Sequence, residues 1–205
     1  MDDIREIIVK IVDIEWDMFT SVNDEEDRVS CQEDRKTFDG MRIAQFDAWP
    51  LEAVRCYLCD LEAARRSGRN LVEEKYIHMM KTTEPLQYSA LLAGTAAPSD
   101  SARILAQEIS DILLEQTRML FETYPSISGH GRPLYSVQDF IGVSVETYQH
   151  SELLTYSEKT LTALKKYISE LEGEGRSLAR EILENTIRFY GFDSLGAAEA
   201  AVTGG

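Results

Sequence analysis

Residues 30–49 read SCQEDRKTFDGMRIAQFDAW. Wound into an α-helix at ~100° per residue, Phe38, Arg42, Gln45 and Trp49 fall within a band about 60° wide. The two aromatics claim that stripe for the core, yet a guanidinium and an amide share it. Arginine is almost never fully buried unless it is paired. The stretch therefore predicts a helix whose inner face carries a polar site.

Residues 2–22 pose the same puzzle. Ile4, Ile8, Ile11, Met18 and Val22 form one stripe, with Asp3, Lys10, Asp13 and Asp17 roughly opposite. Glu15 falls at the centre of the apolar stripe. A lone ionised carboxylate there costs several kcal/mol to desolvate, so it must be paired, hydrogen-bonded or protonated. Arg42 is the evident partner, and Gln45 can complete the network. A buried ion pair that only fixes helix register explains the same two residues.

Helical periodicity continues along the chain and clean strand alternation is absent. Pro50 suits the first turn of a helix that turns Leu51, Val54, Leu58 and Leu61 inward and stops at Gly68. Asn70 caps the next, with Glu73 at its N3 position and Pro85 as its breaker. Residues 101–124 form a long amphipathic helix, and YPSISGHGRPLY (124–135) reads as a loop. Ser136 with Asp139 resembles a capping box for a helix from Val137, followed by helices ending at Gly173 and Gly191. A short Ala-rich segment and a frayed tail close the chain. The expectation is an all-α, single-domain bundle of about eight helices over residues 1–205.

Composition sets outer limits. The 205 residues are 43% hydrophobic and 28% charged, enough for one sizeable core. Thirty-six acids against 21 bases give a net charge of −15, the wrong sign for nucleic acid or an anionic membrane surface. No apolar run approaches the ~18 residues of a membrane span. MDDIREIIVK lacks a secretory signal's features, and three cysteines fit a reducing cytoplasm.

The polar intrusion recurs on other helices. Val137, Ile141, Val145 and Tyr148 share a band with Glu152; Lys75 sits between Val72 and Met79; Asn185 joins Leu178, Ile182 and Phe189. Helical bundles build sites from inward side chains on facing helices, so these groups predict a shared pocket. Arg69, in the turn ahead of the Asn70 cap, has the setting of an anion holder, or of a turn residue left in solvent. Cys31 lies near Arg28 and a helix start, which favours thiolate; a packed small hydrophobe is the competing reading. Cys56 and Cys59 in CYLC read as packing. Glu74/His78 and Glu146/His150 share helix faces at i, i+4, not the i, i+3 spacing of di-iron carboxylate sites, and are explained by surface pairing. SGHGRP (128–133) lacks both the preceding strand and the Lys-Ser/Thr ending of a phosphate loop, leaving His130 a loop residue.

EWDMF with VN (15–23), RVSCQ (28–32), F-x-x-MR-x-x-QF-x-x-W (38–49), GRNLVEEKY with MM (68–80), and ETY with EL-x-TYS (146–157) together resemble the bacterial domain-of-unknown-function family 4125. The resemblance implies a cytoplasmic bacterial protein and supplies no reaction; some relatives carry a nucleotidyltransferase-like module. The matching positions are Glu15, Trp16, Asn23, Arg28, Cys31, Gln32, Arg42, Gln45, Trp49, Arg69, Asn70, Glu74, Lys75 and Tyr76.

Three readings follow. In the first, a polar pocket between helices binds or transforms a small anionic metabolite. Glu15 serves as acid/base or charge partner and Cys31 as nucleophile, while Arg28, Arg42 and Arg69 grip the anion. Trp16, Trp49, Tyr76 and Tyr148 wall the pocket, and Asn23, Gln32, Gln45, Asn70, Glu74, Lys75 and Glu152 complete it. The second is a non-catalytic adaptor for a nucleotidyltransferase-type partner, which calls for an exposed apolar patch and no enclosed cavity. The third is a metal protein in which the two Glu/His pairs face each other. Any cofactor is left unknown by the sequence, and a homodimer is the base expectation for assembly.

Overall fold

Most helices in this chain begin on a short polar side chain that takes an amide hydrogen the first turn leaves unpaired. In the computed structural model, which describes residues 3–22, 34–129 and 131–204, Asp34 accepts from Thr37 N–H, Asn70 from Val72 and Glu73, and Ser99 from Ala102. Ser144, Ser157, Ser177 and Ser194 do the same further on. The readings placed on Asn23, Arg28, Cys31, Gln32 and His130 lie outside the described residues.

Eleven α-helices occur among the described residues: α1 (Ile4–Thr20), α2 (Arg35–Asp47), α3 (Leu51–Arg66), α4 (Leu71–Thr83), α5 (Pro85–Leu92), α6 (Asp100–Thr123), α7 (Pro125–Gly129), α8 (Val145–Leu153), α9 (Glu158–Gly173), α10 (Leu178–Phe189) and α11 (Leu195–Thr203). No strand is present among them, so the all-α class holds while the expected number of about eight is too low. Pro85 is the reason for one extra helix: it ends α4 and also occupies the first position of α5, where a missing N–H costs nothing. Part of the expected loop after Tyr124 is helical, because Glu199 accepts from the Ser126 and Ile127 amides and so caps α7 from a distance.

The helix expected from Val137 starts eight residues later. Residues 136–138 make only a 3₁₀ turn. The Asp139 carboxylate, rather than capping Ser136, accepts from the Ser144 N–H and the Thr147 hydroxyl. Ser144 then caps Thr147 N–H and opens α8. Val137 and Ile141, expected inside, are 79% and 69% exposed. Leu51 is also exposed, since it lies at the very start of α3. Gly68 and Gly191 terminate their helices at φ 70° and 87°, in left-handed backbone that favours glycine. α9 ends at Gly173 as expected, and the left-handed residue of its cap is Gly175, after which Arg176 N–H closes onto the Leu171 carbonyl.

Packing follows the apolar stripes. α1 rests on α2, α3 and α4; α9 lies against α3 and α6; α8 bridges α4 and α6; α10 crosses α2 and α6. Ile11, Leu61, Ile109, Leu161, Leu164 and Ile168 are fully buried in one continuous core, each worth about 1.5–3 kcal/mol. A smaller cluster of Ile187, Leu195 and Ala198 ties α11 and α7 to α10. No helix among the described residues is long and apolar enough to cross a membrane.

The α2–α10 crossing is close because Gly40 has no side chain: a Cβ there would lie 2.3 Å from the Phe189 ring. Gly40→Ala is expected to lower stability by about 1–3 kcal/mol through overpacking. In a Phe189→Ala background the same change is expected to raise stability by up to ~1 kcal/mol, alanine's helix advantage over glycine. Urea unfolding of the four proteins checks this reversal of sign.

Candidate functional site

The residues that interrupt the apolar stripes meet. Arg42, on α2, forks onto Glu15 of α1, with Nε donating to Oε2 at 2.7 Å and Nη2 to Oε1 at 2.6 Å. Its Nη1 donates to Gln45 Oε1 at 2.8 Å and to Glu152 Oε1, on α8, at 3.0 Å. Gln45 Nε2 reaches the same Glu152 oxygen at 3.2 Å. Lys75 of α4 donates from Nζ to the Tyr148 hydroxyl at 2.9 Å and lies 3.5 Å from Glu152 Oε2. Glu15, Arg42, Lys75 and Glu152 are each at most 9% exposed, so two carboxylates and two cations form a buried cluster with no net charge.

Two tyrosines complete it. Tyr57 of α3 donates its hydroxyl to Glu15 Oε1 at 2.7 Å, and Tyr156, just beyond α8, donates to Glu152 Oε1. Burial and the adjacent carboxylates push both phenols well above their ordinary pKa, which keeps them neutral donors. Burial works against the Glu152 carboxylate, but Arg42 and Lys75 outweigh it and hold the group well below the usual carboxylate range. Burial likewise opposes the Lys75 ammonium, and Tyr148 and Glu152 overcome it, so the amine stays protonated. Burial opposes the Arg42 charge too, and Glu15 and Glu152 more than compensate. Arg42 lies 4.8 Å from the Phe46 ring centroid and Lys75 4.3 Å from that of Tyr148, adding cation–π contact.

The cluster stands between two cavities. One, of about 480 Å³, is bounded by Glu15, Arg42, Lys75, Tyr76 and Tyr148, with Phe19 and Phe38 on its apolar side and Asp34 and Thr37 at its edge. The other, of about 410 Å³, meets Gln45, Trp49, Tyr148, Glu152 and Tyr156 at one end and is otherwise lined mainly by apolar side chains of α6, α9 and α10.

The remaining sequence-selected residues fall elsewhere. Trp16 packs on Phe19 and Phe38, with Arg35 over its ring, and does not line either cavity. Arg69 forks onto Glu74 at 2.8 and 2.6 Å, so neither the anion grip nor the solvent reading describes it. Asn70 caps α4 and donates to the Met18 carbonyl, stitching α4 to α1. Asn185 similarly donates to the Ala44 carbonyl across the α2–α10 crossing. Both Glu15 oxygens already accept hydrogen bonds, which favours its role as charge partner over that of proton carrier. Tyr57 and Tyr156 are the members that stripe analysis passed over; a tyrosine one turn from Glu152 is the signal that could have found the second.

The metal reading loses its geometry. Glu74 is bound to Arg69, and Glu146 accepts from Ser136 N–H. Among the described residues no group of three or more potential ligands gathers. His78 and His150 are left with buried Nδ1 atoms that have no hydrogen-bond partner, and burial lowers both pKa values.

The fold and the cluster together define a class: an all-helical protein with a neutral, fully paired charge cluster walling two inter-helix cavities. Over residues 5–200 the chain matches the family described as protein of unknown function DUF4125, and it belongs to that family. No curated protein and no solved structure matches it.

Acid titration separates these groups. The histidines sit below their unfolded value of about 6.5, so the unfolded chain takes up protons first and stability falls from about pH 7 towards pH 5. Glu152 sits below its unfolded value of about 4.3, so its contribution is intact above about pH 5 and is lost as the pH falls further. His78→Leu is expected to flatten the upper limb. Glu152→Gln is expected to cost about 3–5 kcal/mol at pH 7, with its curve converging on wild type in acid. Urea midpoints across pH 3–8 check both; curves that stay parallel contradict the assignment.

Proposed function

We propose that the protein binds a small anionic metabolite in the pocket bounded by Glu15, Arg42, Lys75, Tyr76 and Tyr148. The observation that carries this reading is Lys75. Its ammonium is buried and held protonated, and its contacts to Tyr148 and Glu152 occupy two of its three hydrogens. The third is available to an acceptor in the cavity that Lys75 lines. Arg42 has one Nη2 hydrogen beyond its bond to Glu15. A carboxylate or phosphate oxygen between the two cations would form charge-assisted bonds in a site of low dielectric. Phe19 and Phe38 offer an apolar wall to the rest of such a molecule.

The adaptor reading draws on one observation: Val137, Phe140 and Ile141 are 79%, 85% and 69% exposed within a five-residue stretch. Against it stand the two cavities, which an adaptor held together by packing alone does not need.

Thermal unfolding with phosphate, pyrophosphate, succinate and a nucleoside monophosphate tests the pocket. At a hundred times its Kd, a ligand adds about 2.7 kcal/mol, or roughly 5–10 °C for a chain of this size. At least one anion is expected to raise the wild-type midpoint by that amount and to leave Lys75→Met unmoved. A wild-type midpoint that none of them shifts overturns the reading in favour of the adaptor.

A further inference from the structure

The cavity of about 410 Å³ on the far side of the cluster has a different chemistry. Leu113 and Leu120 of α6, Leu164 and Ile168 of α9, and Ile182 and Leu183 of α10 form its walls. Three of its hydroxyl-bearing residues spend their hydrogens on main-chain carbonyls. Thr117 donates to the Leu113 carbonyl, Thr186 to that of Ile182 and Ser128 to that of Leu120. Such a wall offers water few partners and suits hydrocarbon.

Among the described residues that line this chamber, Arg132 is the one charge without an opposite charge beside it. It lines the cavity with its guanidinium 4.4 Å from the Tyr148 ring centroid, donates from Nη1 to the Val143 carbonyl at 3.1 Å, and forms no ion pair among the described residues. Glu152, also at the wall, is an anion already neutralised by Arg42 and Lys75. A bound carboxylate is therefore drawn to Arg132, and Glu152 does little to oppose it.

We propose that this chamber binds a hydrophobic monocarboxylate, its alkyl or aryl body between α6, α9 and α10 and its carboxylate on Arg132. A cavity of ~150 Å³ accommodates benzene, and the larger chamber has room for a body two to three times that size. The chamber lies across Tyr148 from the anion pocket, and its occupation does not require a ligand there.

Calorimetric titration of the full chain with decanoate and with uncharged 1-decanol tests the proposal. Wild type is expected to bind both with one-to-one stoichiometry. Arg132→Ala, a surface change that leaves the core intact, is expected to weaken decanoate about fivefold, the scale of an exposed ion pair, and to leave decanol unchanged. Leu183→Trp, which fills the chamber from a half-buried position, is expected to abolish both, with its helical circular dichroism retained. Failure of wild type to bind decanoate overturns the proposal. So does equal weakening of acid and alcohol by Arg132→Ala.

Discussion

Arg42 is a full positive charge inside a helical core, and the arrangement of five helical segments answers to it. Burying an ion costs several kcal/mol even after the protein relaxes. Here the cost is offset by a forked bond to Glu15, a second carboxylate at Glu152, the Gln45 amide and the Phe46 ring. Glu15 brings α1 and, through Tyr57, α3; Glu152 brings α8 and, through Lys75, α4. A purely apolar core would tolerate small slips of one helix past another. A guanidinium that needs two carboxylates at fixed angles does not, because each slip leaves a buried charge unpaired.

The same constraint shapes the space around it. Side chains committed to the cluster cannot close over the gaps beside them, and a cavity lies on each face. One face presents cations with hydrogens to spare; the other presents Gln45, Tyr156 and Trp49 to a chamber lined mainly by apolar side chains. Arg69, Glu74 and Asn70 belong to the frame. Their bonds fix the start of α4, and so the depth at which Lys75 enters the cluster.

Much of this was written into the stripes of the sequence. Glu15 between Ile11 and Met18, and Arg42 with Gln45 between Phe38 and Trp49, could only be inside and so had to be paired. Lys75 and Glu152 follow by the same logic, although Val137 and Ile141, which share the Glu152 band, lie in solvent. Ser136 and Ser144 are both able N-caps, and only the tertiary bonds that Asp139 accepts from Ser144 N–H and the Thr147 hydroxyl decide between them. Tyr57 and Tyr156 were silent because a tyrosine on an apolar stripe looks like core until its hydroxyl is seen to meet a carboxylate. The hydrocarbon chamber had no signature at all. Periodicity says which face of α6, α9 and α10 turns inward, not whether those faces fill the space between them.

A double-mutant cycle on Glu15 and Arg42, using methionine at each position and urea unfolding as the readout, addresses the buried pair itself. If the pair organises the core as described, the two changes are strongly non-additive, with a coupling of about 2–3 kcal/mol. Additivity within ~0.5 kcal/mol would mean that the two groups do not depend on each other and would contradict the account.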